Sequence, residues 1–277
     1  MNATAPDREL SITSDLAGQK ADVATVFRAF GAAGFPAVHW CHDWIGEPVF
    51  YDRDLAGRVL DLAARNRLRI ADVHGFHGTD KTAITATLEL YLAMNINRAE
   101  FARAVGAAAV VLHLPPPRGQ AGVDAVAESV ATLRALRPAF EGFGVRAAVE
   151  NLPWASHTPA FFDALLAEFP PEYLGLCFDS GHALLAGQND LLRRHAGRII
   201  VTHLHDNPGV SDGAGDKHWL PGRGKVDWPA VLGALKAGGY RGTVNLECHQ
   251  DPDMPLEDFC TLARQTIARL WAEAPGS

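Results

Sequence analysis

The 277-residue chain is short of basic residues, of patterned cysteine and of long apolar runs, and each shortage closes a class of function. Lys and Arg number 25 against 32 Asp and Glu, a formal charge of −7 with histidine neutral. Without a general basic field a chain does not gather a phosphate backbone over its whole surface, which argues against nucleic acid as a partner and leaves only a local basic patch open. The longest wholly apolar stretches, such as Ala107 to Leu112, fall far below the roughly 18–20 residues that cross a bilayer, so no membrane span is expected. Met1 to Glu9 carries acidic and polar residues where a secretory leader needs a basic start and an apolar middle. A flexible tail on a soluble, cytoplasmic protein is the expectation. The four cysteines, Cys41, Cys177, Cys248 and Cys260, form no C-x-x-C pair, which fits reduced thiols and no thiolate metal site. Ser/Gly linkers, charge runs, G-x-G-x-x-G and P-loop turns are also missing, so neither a domain boundary nor a dinucleotide site is marked.

Apolar residues, by contrast, make up 48% of the chain, enough to bury a sizeable core, and histidine is abundant at twelve, about twice average usage. Strand-length apolar runs alternate with segments of helical periodicity to the C-terminus. The expected strands are Leu10 to Ser14, Ala37 to Cys41, Arg69 to His74, Ala109 to Leu114, Arg146 to Asn151, Leu174 to Asp179, Ile199 to His205 and Thr243 to Cys248. Between them lie amphipathic stretches, among them Val23, Val26, Phe27, Phe30 and Trp228, Val231, Leu232, Leu235. Asp227 stands as a cap before Trp228-Pro229, and Gly34 and Gly238-Gly239 stand just past apolar stripes. A repeat of about 33 residues suits one strand and one helical crossover. Eight such units predict a single α/β domain, a (β/α)8 barrel over residues 1–277.

A barrel of this kind works at the C-terminal ends of its strands, and there the polar residues repeat. Strand three ends in Asp72-Val73-His74, strand four in His113, strand five in Glu150-Asn151 and strand six in Asp179 with His182 three residues on. Strand seven ends in His203-Leu204-His205-Asp206-Asn207 and strand eight in Glu247-Cys248-His249. Carboxylates buried among apolar neighbours demand neutralisation, and imidazoles with carboxylates are the ligands of Zn²⁺, Mn²⁺ or Co²⁺. His39, His42, His77, His157, His195 and His249 read as rim, loop or helix-surface residues, His195 most plainly as surface.

Glu150, Asp179 with His182, the His203-Leu-His-Asp-Asn run, Asp216-Lys-His218, the Pro221-Gly-Arg-Gly-Lys-Val-Asp-Trp228 turn and Glu247 resemble, over nearly the whole chain, the xylose isomerase-like barrel superfamily. That superfamily contains sugar-phosphate isomerases and epimerases together with endonuclease IV. The resemblance implies a metal held by Glu150, Asp179, His203 and Glu247. The likeness to endonuclease IV implies further ligands at His74 and His113 and at His182, Asp216 and His218, hence one to three ions of Zn, Mn, Co or Mg. On strand seven His203 and His205 share a face by the period of two, and either could be the ligand, the other then touching substrate. Gly222-Arg-Gly-Lys225 reads either as a phosphate site or as a glycine-permitted turn into a capped helix, and Trp40, Trp44, Phe76 and Trp154 as a stacking surface or as loop packing.

Two classes of activity follow from these residues and the resemblance. The first is a metal-dependent isomerase or epimerase on a small sugar, sugar phosphate or cyclitol, in which Glu150 and Glu247 handle the proton and the metal stabilises the enediolate. A lyase or dehydratase on a keto-sugar uses the same chemistry. The second is metal-assisted hydrolysis of the endonuclease IV type, against which the neutral or acidic rim loops stand. A non-catalytic binding barrel is the remaining class, and a homo-oligomer is left open.

Overall fold

The computed structural model describes residues 8–41, 50–76, 87–114, 124–210 and 215–276. His42, Trp44, His77 and the expected N-terminal tail up to residue 7 lie outside the described residues. The strands are β1 (Leu10–Thr13), β2 (Ala37–Trp40), β3 (Arg69–His74), β4 (Ala109–Leu112), β5 (Arg146–Glu150), β6 (Leu174–Asp179), β7 (Ile199–His203) and β8 (Val244–Leu246). All pair in parallel in the order β7-β6-β5-β4-β3-β2-β1-β8. The parallel bridge Leu204–Leu246 brings β7 back against β8, so the sheet closes into a barrel.

Helices fill the crossovers: α1 (Val23–Ala33), α2 (Arg53–Arg65), α3 (Leu88–Val105), α4 (Ala125–Phe143), α5 (Pro159–Glu168), α6 (Ser180–Ala186) and α7 (Asn189–His195), α8 (Trp228–Ala237) and α9 (Leu256–Glu273). Their starts follow local chemistry. Asp22 accepts from the Thr25 amide at 2.7 Å, and Asp227 accepts from the Ala230 amide at 3.1 Å with Pro229 in the first turn. Gly34 ends α1 with φ 84°, a left-handed position where a side chain is strained. The main core lies between sheet and helices, built on Phe27, Phe30, Phe140, Phe162 and Phe259, while a small separate cluster of Ala109, Val111, Ala148, Cys177 and Val201 fills the barrel below its mouth.

Six of the eight strands stop one or two residues before the expected end; only β3 and β6 run to it. The physical reason is that polar side chains take over the backbone pairing at the mouth. The Ser180 hydroxyl accepts from the His205 amide at 3.0 Å and donates to the His205 carbonyl at 2.8 Å. Asn151 accepts from the Asp179 amide at 2.8 Å and donates to its carbonyl at 3.0 Å. Ser14 does the same for Cys41. The backbone is satisfied without a ladder, which frees each strand end to turn its side chain across the mouth. Trp40 and Phe76, read as rim aromatics, are instead buried in the outer core, Trp40 lying edge-on to Phe27 and Tyr51. His195 is also no plain surface residue: it is half-buried with Nε2 3.2 Å from Asp163 Oδ1.

Candidate metal centre

The site is assembled by the period of two. On β5 Ala148 faces the barrel floor and Glu150, two residues on, faces the mouth; Cys177 and Asp179 repeat this on β6, and Val201 and His203 on β7. A register shift between Leu176 and Cys177 sets Cys177 opposite Val201 and Asp179 opposite His203. Asp179 also caps α6, accepting from the His182 amide at 2.6 Å, and that single turn carries His182 into the mouth. The long segment after β7 folds back through the antiparallel pair Asp206–Trp219, which returns Asp216 and His218 to the site. His218 holds φ 47°, a strained conformation for a non-glycine residue, and its Nδ1 donates to the Glu247 carbonyl at 2.8 Å, turning Nε2 toward Asp216.

All nine expected ligand residues come together. Donor atoms of Glu150, Asp179, His203 and Glu247 lie within 4.8 Å of one another, and so do those of His74, His113 and Glu150. A third group joins His182, Asp216 and His218 with His205. His203 Nδ1 is 3.2 Å from Glu150 Oε2 and 3.1 Å from Glu247 Oε2. His113 Nε2 is 2.9 Å from Glu150 Oε2, and His182 Nδ1 is 3.1 Å from Glu150 Oε1. Of the two strand-seven histidines, His203 thus sits among the carboxylates, while His205 Nε2 lies 3.0 Å from both oxygens of Asp179 and its ring stacks on His218 at 3.9 Å.

Glu150, Asp179, His203 and His205 are wholly buried. Burial alone would raise the Glu150 and Glu247 carboxyls, yet the neighbouring imidazoles, His113 and His203 for the first and His203 for the second, hold both well below the usual carboxylate range. Burial is likewise overcome at His182 by Asp179, Asp216 and Glu150, and at His203 by Cys177, Glu247 and Glu150; both imidazoles are pushed well up. His218 rises to about 9, since Asp216 and Glu247 outweigh its burial. Among the described residues every ion pair of Glu150, Asp179, Asp216 and Glu247 is to histidine. Positive charge in this mouth therefore comes from protons on imidazoles, and a divalent cation is the other way to supply it. Both ring nitrogens of His203 are buried, Nδ1 against the Glu150 and Glu247 oxygens and Nε2 without a hydrogen-bond partner among the described residues. A buried imidazole held against two carboxylates fits a metal ion.

Other expectations sort out by contact. In Gly222-Arg-Gly-Lys225, Arg223 pairs with Asp251 at 2.7 Å, and the Asp206 carboxylate accepts from the amides of Gly222 and Val226 and from the Trp228 indole. A Cβ on Gly224 would meet the Asn207 carbonyl at 2.3 Å. These contacts make the segment a turn tied down by Asp206. His157 accepts from the Leu152 amide at 3.0 Å and stacks on Phe161, a packing role. His249 is exposed and stacks on His218. His39 was not among the expected ligands, although its position near the end of the second strand carried the same signal as the others; it is wholly buried and bonded through Nδ1 to Asp72.

The family model described as xylose isomerase-like TIM barrel matches residues 27–269, and the chain belongs to that family. An uncharacterized protein (y4fM) of Sinorhizobium fredii is 35% identical over 170 residues, 56% of this chain and 51% of that protein. An inosose dehydratase of Geobacillus thermodenitrificans is 32% identical over 122 residues, 38% of this chain and 41% of that protein. The aligned stretches thus span about half or less of the length of these curated relatives. Among solved structures, the IOLI protein with a bound zinc atom superposes with a TM-score of 0.75 at 18% identity over 97% of this chain and 100% of that one, a likeness of fold. No helix among the described residues is long and apolar enough to cross a membrane.

Proposed function

We propose that the protein is a divalent-metal-dependent isomerase or epimerase that removes and returns a proton next to a carbonyl of a small sugar, sugar phosphate or cyclitol. One observation carries the reading: Glu150 and Glu247 approach the same nitrogen of His203, at 3.2 and 3.1 Å, in a buried mouth with Asp179. Glu150, Asp179, His203 and Glu247 would hold the ion. When bound, a divalent cation supplies Lewis acidity at substrate oxygens and offsets the charge that develops on proton removal. The two glutamates are ionised at neutral pH, so either can accept a proton at a carboxylate oxygen. With both carboxylates at the same His203 nitrogen, one would take the proton and the other return it. His205, fixed on Asp179, and His182, fixed between Glu150 and Asp216, present buried polar groups to substrate hydroxyls. Beneath the site lies the buried apolar cluster of Ala109, Val111, Ala148, Cys177 and Val201.

Hydrogen–deuterium exchange of substrate C–H in D₂O, read by NMR over a panel of keto-cyclitols and ketohexoses with Mn²⁺, Co²⁺, Zn²⁺ or Mg²⁺, tests this. Exchange that disappears in Glu150→Gln and in Glu247→Gln supports it; exchange at the wild-type rate in both variants contradicts it. The same first step serves a dehydratase, the activity in the name of five relatives, and loss of water from the exchanging substrate distinguishes that outcome.

A second reading, metal-assisted phosphodiester hydrolysis, is favoured by the two further donor groups beside the central four, His74 and His113 with Glu150 and His182, His205 and Asp216 with His218. Cleavage of abasic DNA at low salt with Zn²⁺ or Mn²⁺ would establish it, and an intact substrate would dismiss it. The acidic balance of the chain weighs against it.

A further inference from the structure

Besides the nine expected ligands and His205, the described residues of the barrel mouth include His39, a wholly buried imidazole whose position is set by an irregularity of the sheet. Along β2 and β3, Val38 stands opposite Ile70, but the register then shifts and His39 stands opposite Asp72, so that Ala71 is passed over. Such a bulge re-aims the side chains that follow it, and here it turns His39 and Asp72 together toward the barrel axis. His39 Nδ1 is bonded to Asp72 Oδ1. A carboxylate only accepts, so Nδ1–H donates, and in the neutral ring the lone pair stands on Nε2. His39 Nε2 is buried and has no hydrogen-bond partner among the described residues. Its surroundings are not apolar. The His39 ring lies 4.7 Å from the ring of His203 and 5.7 Å from that of His74, and the donor atoms of His39, His203 and Glu247 lie within 4.8 Å of one another.

A histidine whose work was to satisfy Asp72 would need only Nδ1, and its other nitrogen would face an apolar wall or find a donor. Here a nitrogen of the ring converges with two groups proposed to hold the ion, and Nε2 is the one that Asp72 leaves available. Metal-ligating histidines characteristically donate their second ring N–H to a carboxylate or carbonyl, which fixes the ring and raises its basicity. His74 and His218 show that arrangement with the carbonyls of Gly75 and Glu247, and the His39–Asp72 pair shows its carboxylate form. We infer that His39, oriented by Asp72, is a further ligand, supplied by β2, of the ion held by His203 and Glu247. The inference rests on the metal reading proposed above.

The test uses the full chain stripped with chelator and titrated with Co²⁺, recording the visible d–d absorption and the affinity against a competing chelator. His39→Gln is expected to alter the shape of the band and to weaken binding about 10–100-fold, with Asp72→Asn acting in the same direction and less. His203→Gln sets the scale of a lost ligand. An unaltered band and an affinity within about twofold of wild type in His39→Gln, beside a changed band in His203→Gln, would overturn the assignment of His39 and leave the central site standing. Wild-type protein that binds no Co²⁺ would overturn both. A measurement that needs no variant guards against misfolding: in ¹⁵N-histidine-labelled wild type loaded with ¹¹³Cd²⁺, cadmium coupling to His39 Nε2 is expected, and its absence while His203 shows coupling contradicts the inference.

Discussion

Two layers of the same strands, one residue pair apart, behave as different materials. The floor layer is Ala148, Cys177 and Val201; the mouth layer directly above is Glu150, Asp179 and His203. The floor is small, apolar and closed, and its contribution is packing. The mouth is charged and balanced only by neighbouring imidazoles, so its stability depends on what cation, proton or metal, is present. The packed floor, with Ser14, Asn151 and Ser180 tying the strand ends, is what lets the mouth hold eleven histidine and carboxylate side chains close together.

The contrast is expected to show most at Glu150 and Glu247, the pair proposed to handle the proton. Glu150→Gln or Glu247→Gln is expected to lower substrate C–H exchange by about 10²–10⁴-fold, measured as deuterium incorporation, while leaving the fold intact by circular dichroism. Next comes the ion. Metal at a hundredfold its Kd adds about 2.7 kcal/mol to stability by mass action, so a chelator should lower the urea midpoint of wild type and leave His203→Gln unmoved. Val201→Ala removes apolar volume from the floor and should cost about 1.5–3 kcal/mol in the same unfolding experiment, with metal stoichiometry unchanged.

A smaller effect belongs to His157, which lies in the loop after β5 and whose pKa is lowered to about 4, burial first and the charges of His113 and His182 after it. Its folded value lies under its unfolded value near 6.5, so its contribution is present above pH 6.5 and lost as pH falls toward 4. In chelated protein His157→Gln should flatten the acid slope of the unfolding midpoint over that window. The smallest effect is expected at Arg223, whose exposed pair with Asp251 is worth under about 1 kcal/mol; Arg223→Gln should leave both the midpoint and KM for a phosphorylated substrate unchanged. A raised KM would restore a phosphate role to that turn.

The barrel was legible because strand and helix periods alternate and carry punctuation, Asp227 before one helix and Gly34 after another. The polar strand ends were legible because the period of two places every second residue on one face, while the grouping of Glu150, Asp179, His203 and Glu247 as one proposed ligand set came from the resemblance to the family. Two things depend on register, which local sequence does not carry. His203 and His205 share a face, and only the pairing of Asp179 with His203 and the Ser180 bonds at His205 separate them. His39 stands near a strand end as the other mouth residues do, but the register shift between β2 and β3 that pairs it with Asp72 is not written in Ala37-Val38-His39-Trp40. Trp40 misled in the opposite way, since an aromatic residue at a strand end packs outward as readily as inward.

The central claim is that the mouth layer is a metal centre, and an anomalous difference map from crystals grown with Mn²⁺ or Zn²⁺ tests it most directly. A peak bounded by Glu150, Asp179, His203 and Glu247 is the expected result, with further peaks at His74–His113 and His182–Asp216–His218 if more than one ion binds. A map with no peak among the four central residues, from protein saturated with the ion, would contradict it.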